Sequence, residues 1–251
     1  AHSLSYAAKL SPTLWLLMLD TCEYGQSNGL LRPETLAWAS DLYTQAEKAD
    51  AVVVAAGHHP LLAHSYNDAN RADLTQNADT LAALVASARL PLYLAGHRHQ
   101  THYAAENGLT EILMGVPTLW PNKIGRLTIE SDGARFDTVT LTPNAEDFAD
   151  AEKAAMEAQA ERMAAGALQD TVHEGDADMI AFFEQVYLAY RDGTLFQIAD
   201  ACLRNAAYLR WQDVGITSVF RPWLQYLLEN MTEDYNQLNV AFQPCLSRAS
   251  D

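Results

Sequence analysis

Pro91-Leu92-Tyr93-Leu94-Ala95-Gly96-His97-Arg98-His99 is a short apolar run that stops at a glycine and releases two histidines one residue apart. A run of that length bounded by a proline and a glycine reads as a buried strand ending at Gly96. In an open α/β sheet, ligands bind beyond the carboxyl ends of the strands. His97 and His99 therefore belong on a loop where chemistry is normally placed. Neutral imidazole is a favoured ligand of zinc, iron and other first-row metals.

Earlier in the chain the same pattern occurs once more. Ala51-Val52-Val53-Val54-Ala55-Ala56 is a second strand-like run, and it too ends in glycine and histidine, Gly57-His58-His59-Pro60. Two successive strands thus deliver histidines to one sheet edge. Six of the eight histidines (His58, His59, His64, His97, His99 and His102) fall within residues 58–102. An isolated histidine is most often a surface or satisfied core residue. Two strand-Gly-His units in succession argue for a shared site.

The surrounding pattern is that of an α/β domain. Residues 14–20 are continuously apolar, as in a strand covered on both faces. Pro33 and Glu34 open a helix to about Lys48, whose apolar face is Leu36, Ala39, Leu42, Tyr43 and Ala46. The strand 51–56 follows, then a polar loop over 57–73, a helix over 75–88 and the strand 91–95. Alternating strands and helices indicate a mainly parallel sheet. A long loop directly after a strand is commonly functional, so His64 and Asn67 are expected near the mouth of the site. Four period-two segments, 101–105, 111–116, 125–130 and 135–141, then suggest antiparallel strands. Asn107-Gly108 and Asp132-Gly133 supply the hairpin turns.

Composition shifts from Pro143 onward. An alanine-rich, charged helix is expected over 146–166. Further helices are expected about Ile180–Tyr190, over 195–209 and over 220–231. Their aromatic and aliphatic stripes read as packing core rather than as a cofactor box. The division read from the sequence is therefore 1–143 and 144–251, the second part a helical cap or dimerisation module.

Charge narrows the function. There are 32 acidic against 16 basic side chains, a formal net charge of −16, and the segment from residue 146 holds 18 of the acids and 7 of the bases. Such a chain lacks the electrostatic footprint of a protein that binds long nucleic acid. A small phosphoester remains compatible, because a metal ion dominates the field at its own site. Cys22, Cys202 and Cys245 are too few and too scattered for a disulfide framework. No run of about 18 apolar residues suggests a membrane span.

Gly-His-His-Pro followed by Gly-His-Arg-His resembles the two C-terminal signature motifs of the calcineurin-like metallophosphoesterases, over about Ser3 to Leu141. The helical tail is similar to the extension of some bacterial class III cyclic-nucleotide phosphodiesterases. The resemblance implies an α/β (α+β sandwich) fold of the metallophosphoesterase type with its N-terminal strands missing, and a C-terminal all-helical extension. It implies His58 and His97 as ligands of one metal and His99 as a ligand of a second, with His59 in the variable position of its motif. His59, His64 and Asn67 are then candidate substrate contacts. The cofactors implied are two metal ions (iron, manganese or zinc) whose bridging hydroxide attacks phosphorus. The substrate class is a phosphodiester or phosphomonoester such as a cyclic nucleotide.

The three earlier motifs of that family, Asp-x-His, Gly-Asp-x-x-Asp and Gly-Asn-His-Asp/Glu, do not occur here. They would supply the bridging carboxylate and other ligands. The expected partners are thus an N-terminal part of the same protein, which would complete the site, and a second copy joined through the helical tail. The rival reading is a non-catalytic module that acts through that tail. A mononuclear zinc hydrolase built on His58, His97 and His99 comes last, for want of an evident general base.

Overall fold

The computed structural model describes residues 3–65, 74–141, 146–215 and 218–243. Its centre is a six-stranded sheet in the order β1-β2-β3-β4-β6-β5. The strands are β1 (Tyr6–Ser11), β2 (Leu14–Leu19), β3 (Val52–Gly57), β4 (Leu92–Ala95), β5 (His102–Glu106) and β6 (Leu109–Leu113). β2, β3, β4 and β6 are mutually parallel, whereas β1 and β5 pair antiparallel at the two edges.

Parallel pairing requires crossovers, which two helices provide. α1 (Pro33–Lys48) links β2 to β3, and α2 (Ala78–Ala86) lies between β3 and β4. Both cover one face of the sheet, where Trp15, Leu17, Val53, Ala55 and Tyr93 pack with Leu42, Leu81 and Val85. The opposite face presents Val52, Val54, Leu92 and Ile112 to Phe136 and Val240. Those last two belong to a second sheet of β7 (Lys123–Ile129), β8 (Gly133–Thr140) and β9 (Gln237–Ala241), all antiparallel. This explains why β3 is apolar at every position: alternate side chains enter two different cores. The fold is an α/β sandwich, with helices on one side of the main sheet and a small sheet on the other.

The helical region comprises α3 (Glu146–Leu168), α4 (Ala177–Asp192), α5 (Ala199–Cys202), α6 (Ala206–Trp211) and α7 (Phe220–Asn230). It has its own core, in which Phe183, Trp211, Leu224, Leu227 and Met179 are fully buried. Asp176 caps α4 by accepting from the amides of Asp178 and Met179. Gly193, in the left-handed conformation at φ 73°, closes it.

Two readings of the tail are corrected here. The single helix expected over 195–209 is a 3₁₀ turn (Leu195–Gln197) followed by α5 and α6. α5 ends at Cys202, and Asn205 starts α6 as its N-cap, the side chain accepting from the Ala207 amide at 2.8 Å. After α7 the chain returns to the sandwich as β9, a strand whose polar Gln237 and Asn239 hid it from a search for apolar runs. β1 was not foreseen either; five of its six residues are exposed.

Candidate metal centre

β3 and β4 lie side by side and end together, with Ala55 opposite Tyr93 and Ala56 opposite Leu94. One step further, the Gly96 amide donates to the His58 carbonyl at 3.0 Å. The turns after the two strands are therefore pinned to each other, and His58 and His97 leave them toward the same point. His58 Nε2 and His97 Nδ1 are 3.2 Å apart. Glycine is required at the end of β3, since a Cβ on Gly57 would fall 2.1 Å from the Tyr93 hydroxyl.

His97 and His99 both adopt left-handed backbone conformations, at φ 65° and 53°. That region costs a non-glycine residue about 1 kcal/mol or more. Two such residues flanking Arg98 form a strained loop of the sort found at functional sites.

His58, His59 and His97 each present a ring nitrogen, all within 4.8 Å of one another. Among the described residues no carboxylate joins this group. His58 is exposed, His97 half-buried and His59 buried. The donor set fits a first-row metal. Metal–nitrogen bonds of about 2.0–2.1 Å in tetrahedral geometry set two ligand nitrogens about 3.3 Å apart, close to the spacing of His58 and His97.

His59 is held differently. Its Nε2 donates to the Ser27 carbonyl at 3.2 Å, and its Nδ1 lies 2.8 Å from the Thr21 hydroxyl. That hydroxyl also accepts from the His59 amide at 3.2 Å. Nε2 therefore carries a proton toward the carbonyl. A metal at His59 would have to displace one of these partners. Its place in the cluster is that of a brace behind His58, the two rings meeting edge-on at 4.8 Å.

His99 is exposed and lies outside the three-histidine group. Its pKa is lowered, first by partial burial, then by the Arg191 charge, then by His58. A ring kept neutral remains a competent metal ligand.

His64, expected at the mouth of the site, is instead fully buried. Its Nε2 is 3.1 Å from a Glu111 carboxylate oxygen, and its Nδ1 is 2.7 Å from His102 Nδ1. Glu111 is also fully buried and accepts from the amides of Leu61 (2.8 Å) and Leu62 (2.6 Å). His102 stacks on Tyr235 with ring centroids 4.1 Å apart. Burial, then the neighbouring His64, hold the His102 pKa well below its usual value. The loop that leaves His58 and Pro60 is thereby tied to β6 through a buried polar cluster. Asn67, the remaining candidate substrate contact, lies outside the described residues.

The sequence reading missed three participants, Thr21, Glu111 and Arg191, and counted His102 among the clustered histidines without giving it a role. Glu111 carried a usable signal, as the one acid in Leu109-Thr110-Glu111-Ile112-Leu113. Arg191 carried none, because only the tertiary fold brings α4 to the histidine loop.

No family model matches the chain, and no curated protein matches it in sequence. Among the solved structures that resemble it in fold are two that follow. One is a dimetal phosphatase from Danio rerio, with 15% identity, a TM-score of 0.45, and coverage of 54% of this chain and 57% of that one. The other is GAP50, the anchor in the inner membrane complex of Plasmodium, with 15% identity, a TM-score of 0.39, and coverage of 58% and 53%. The chain thus spans little more than half the length of either.

Proposed function

We propose that this chain carries the histidine side of a metal-dependent phosphoesterase of dinuclear type. The observation that carries the reading is the 3.2 Å approach of His58 Nε2 to His97 Nδ1 beyond the carboxyl ends of two adjacent parallel strands. The substrate class is a small phosphodiester or phosphomonoester, such as a cyclic nucleotide. His58 and His97 would hold one metal and His99 a second, with iron, manganese or zinc compatible with the donors.

Bound metal would lower the pKa of a coordinated water and polarise the phosphoryl group. The chain's own residues do the positioning. The Gly96–His58 hydrogen bond fixes the two turns, the Thr21–His59–Ser27 bonds fix the ring behind His58, and Glu111 fixes the loop beyond Pro60. A dinuclear centre also needs a bridging carboxylate, which this reading assigns to a segment outside the described residues.

The test is hydrolysis of bis-nitrophenyl phosphate and of cyclic nucleotides by the whole protein charged with manganese or zinc, beside His97→Ala. Turnover that depends on metal and falls at least a hundredfold in the variant supports the reading. Full turnover in His97→Ala removes it. One observation favours a second reading, a non-catalytic module working through α3–α7: the histidine group has no carboxylate among the described residues. Protein that takes up no metal would favour it.

A further inference from the structure

The last turn of α4 is fixed against the histidine loop. A Cβ on Gly193 would sit 3.3 Å from the Thr101 carbonyl oxygen and 3.4 Å from Thr101 Cβ, so the helix end rests two residues beyond His99. Asn236 Nδ2 donates to the carbonyls of Asp192 and Gly193 at 3.0 and 3.2 Å. Lys123 Nζ meets the Asp192 carboxylate at 2.6 Å and its carbonyl at 3.0 Å. These contacts join α4 to the start of β5, the start of β7 and the segment before β9.

Arg191 immediately precedes this anchor and is half-buried. Its Nε is buried and has no hydrogen-bond partner among the described residues. No carboxylate among the described residues pairs with it. The nearest in sequence, Asp192, is already engaged by Lys123 and accepts from the Thr194 hydroxyl at 3.1 Å. Arg191 lies two residues before Gly193, whose contact with Thr101 sets this helix end two residues beyond His99. A cation on the helix end docked beside the metal-binding loop, its Nε without a partner among the described residues, suits an anion that sits on that loop. Guanidinium matches phosphoryl oxygens in a two-pronged geometry that lysine lacks. An unsatisfied cation is also what a chain of net charge −16 needs if it is to draw an anionic substrate to one place.

We infer that Arg191 is the substrate-phosphate contact of this site, a residue lent by the helical region that grips the non-bridging oxygens of a phosphoester lying on the histidine centre. The inference rests on the phosphoesterase reading above. It gives the helical region a part in recognition and makes the docking of α4 on Thr101, Lys123 and Asn236 a requirement for binding.

The test uses the whole protein charged with manganese, as wild type, Arg191→Met and Arg191→Lys. Metal content is measured by elemental mass spectrometry, inorganic phosphate affinity by calorimetric titration, and folding by thermal melting. Arg191→Met is expected to keep its metal and its melting curve while losing phosphate affinity by about tenfold or more. Arg191→Lys should fall between the two. Phosphate affinity within twofold of wild type in Arg191→Met, at equal metal content, overturns the inference and leaves the phosphoesterase reading standing. Loss of metal and of the melting transition together in both variants marks Arg191 as structural and also overturns it. Wild type that takes up neither metal nor phosphate removes the phosphoesterase reading and the inference with it.

Discussion

Replacing Glu111 should destabilise the protein far more than a single surface acid would. The carboxylate accepts three hydrogen bonds in a fully buried place: Leu61 N, Leu62 N and His64 Nε2. Alanine leaves all three donors without an acceptor. A buried donor stripped of its partner costs about 1–3 kcal/mol, and breaking a buried charged cluster by removing one member typically costs about 3–5 kcal/mol. Glu111→Ala should therefore lose about 3–5 kcal/mol, a large part of a normal domain's stability. Glu111→Gln keeps one acceptor oxygen but turns an amide against a remaining donor, and should lose about 2 kcal/mol. Urea unfolding followed by far-ultraviolet circular dichroism measures both. Hydrogen exchange adds a local readout, since the Leu61 and Leu62 amides bond to Glu111 rather than to a strand ladder. Their protection should drop selectively in Glu111→Gln. A loss below about 1 kcal/mol in Glu111→Ala, with those amides still protected, would refute the reasoning.

The pH dependence of the same cluster has a definite sign. His102 has a folded pKa well below its unfolded value of 6.5. Below pH 6.5 the unfolded chain takes a proton that the folded chain refuses. Stability is thus unaffected by this group above pH 6.5 and falls by up to about 1.4 kcal/mol per pH unit below it. His102→Phe should lose less between pH 7 and pH 5 than wild type in paired denaturant titrations. In the helical core, Trp211 packs on Phe183 at 5.7 Å between ring centroids and donates to the Met179 carbonyl at 3.0 Å. Trp211→Ala should cost about 3–5 kcal/mol by the same denaturant assay. Asp176→Ala removes the α4 cap and the 2.9 Å bridge to Arg210. It should cost about 1–2 kcal/mol, nearly all of it from the cap, visible as a lower melting temperature with metal content unchanged.

The main sheet was legible because its signal is local. β3 and β4 are short apolar runs bounded by proline, glycine and histidine, and each histidine motif follows its strand directly. Period and turn chemistry then gave β5 and β6 around Asn107-Gly108, where the paired left-handed conformations (φ 50° and 83°) are those the dipeptide favours. β9 was not legible, because only pairing with β8 makes Gln237–Ala241 a strand. Neither were the breaks in the third helical stripe, since apolar spacing reports which residues pack together and says nothing of Asn205 intervening.

At the site, the sequence indicated that His58 and His97 would meet, and the register of β3 and β4 accounts for their meeting. It did not separate His59 and His64 from solvent-facing histidines. Burial decides that, and burial depends on Thr21, Ser27, Glu111 and His102, which are distant in sequence. The docking of the α4 end beside the His99 loop likewise depends on Gly193 packing against Thr101, residues far apart in sequence.

The measurement that bears most directly on the account is metal content by elemental mass spectrometry, on wild type and His58→Ala after incubation with manganese or zinc and removal of excess. The account predicts at least one tightly held metal per wild-type chain and its loss in His58→Ala, with both proteins folded. Wild-type protein that emerges folded and metal-free would contradict the account, and the histidines beyond β3 and β4 would then be a structural cluster.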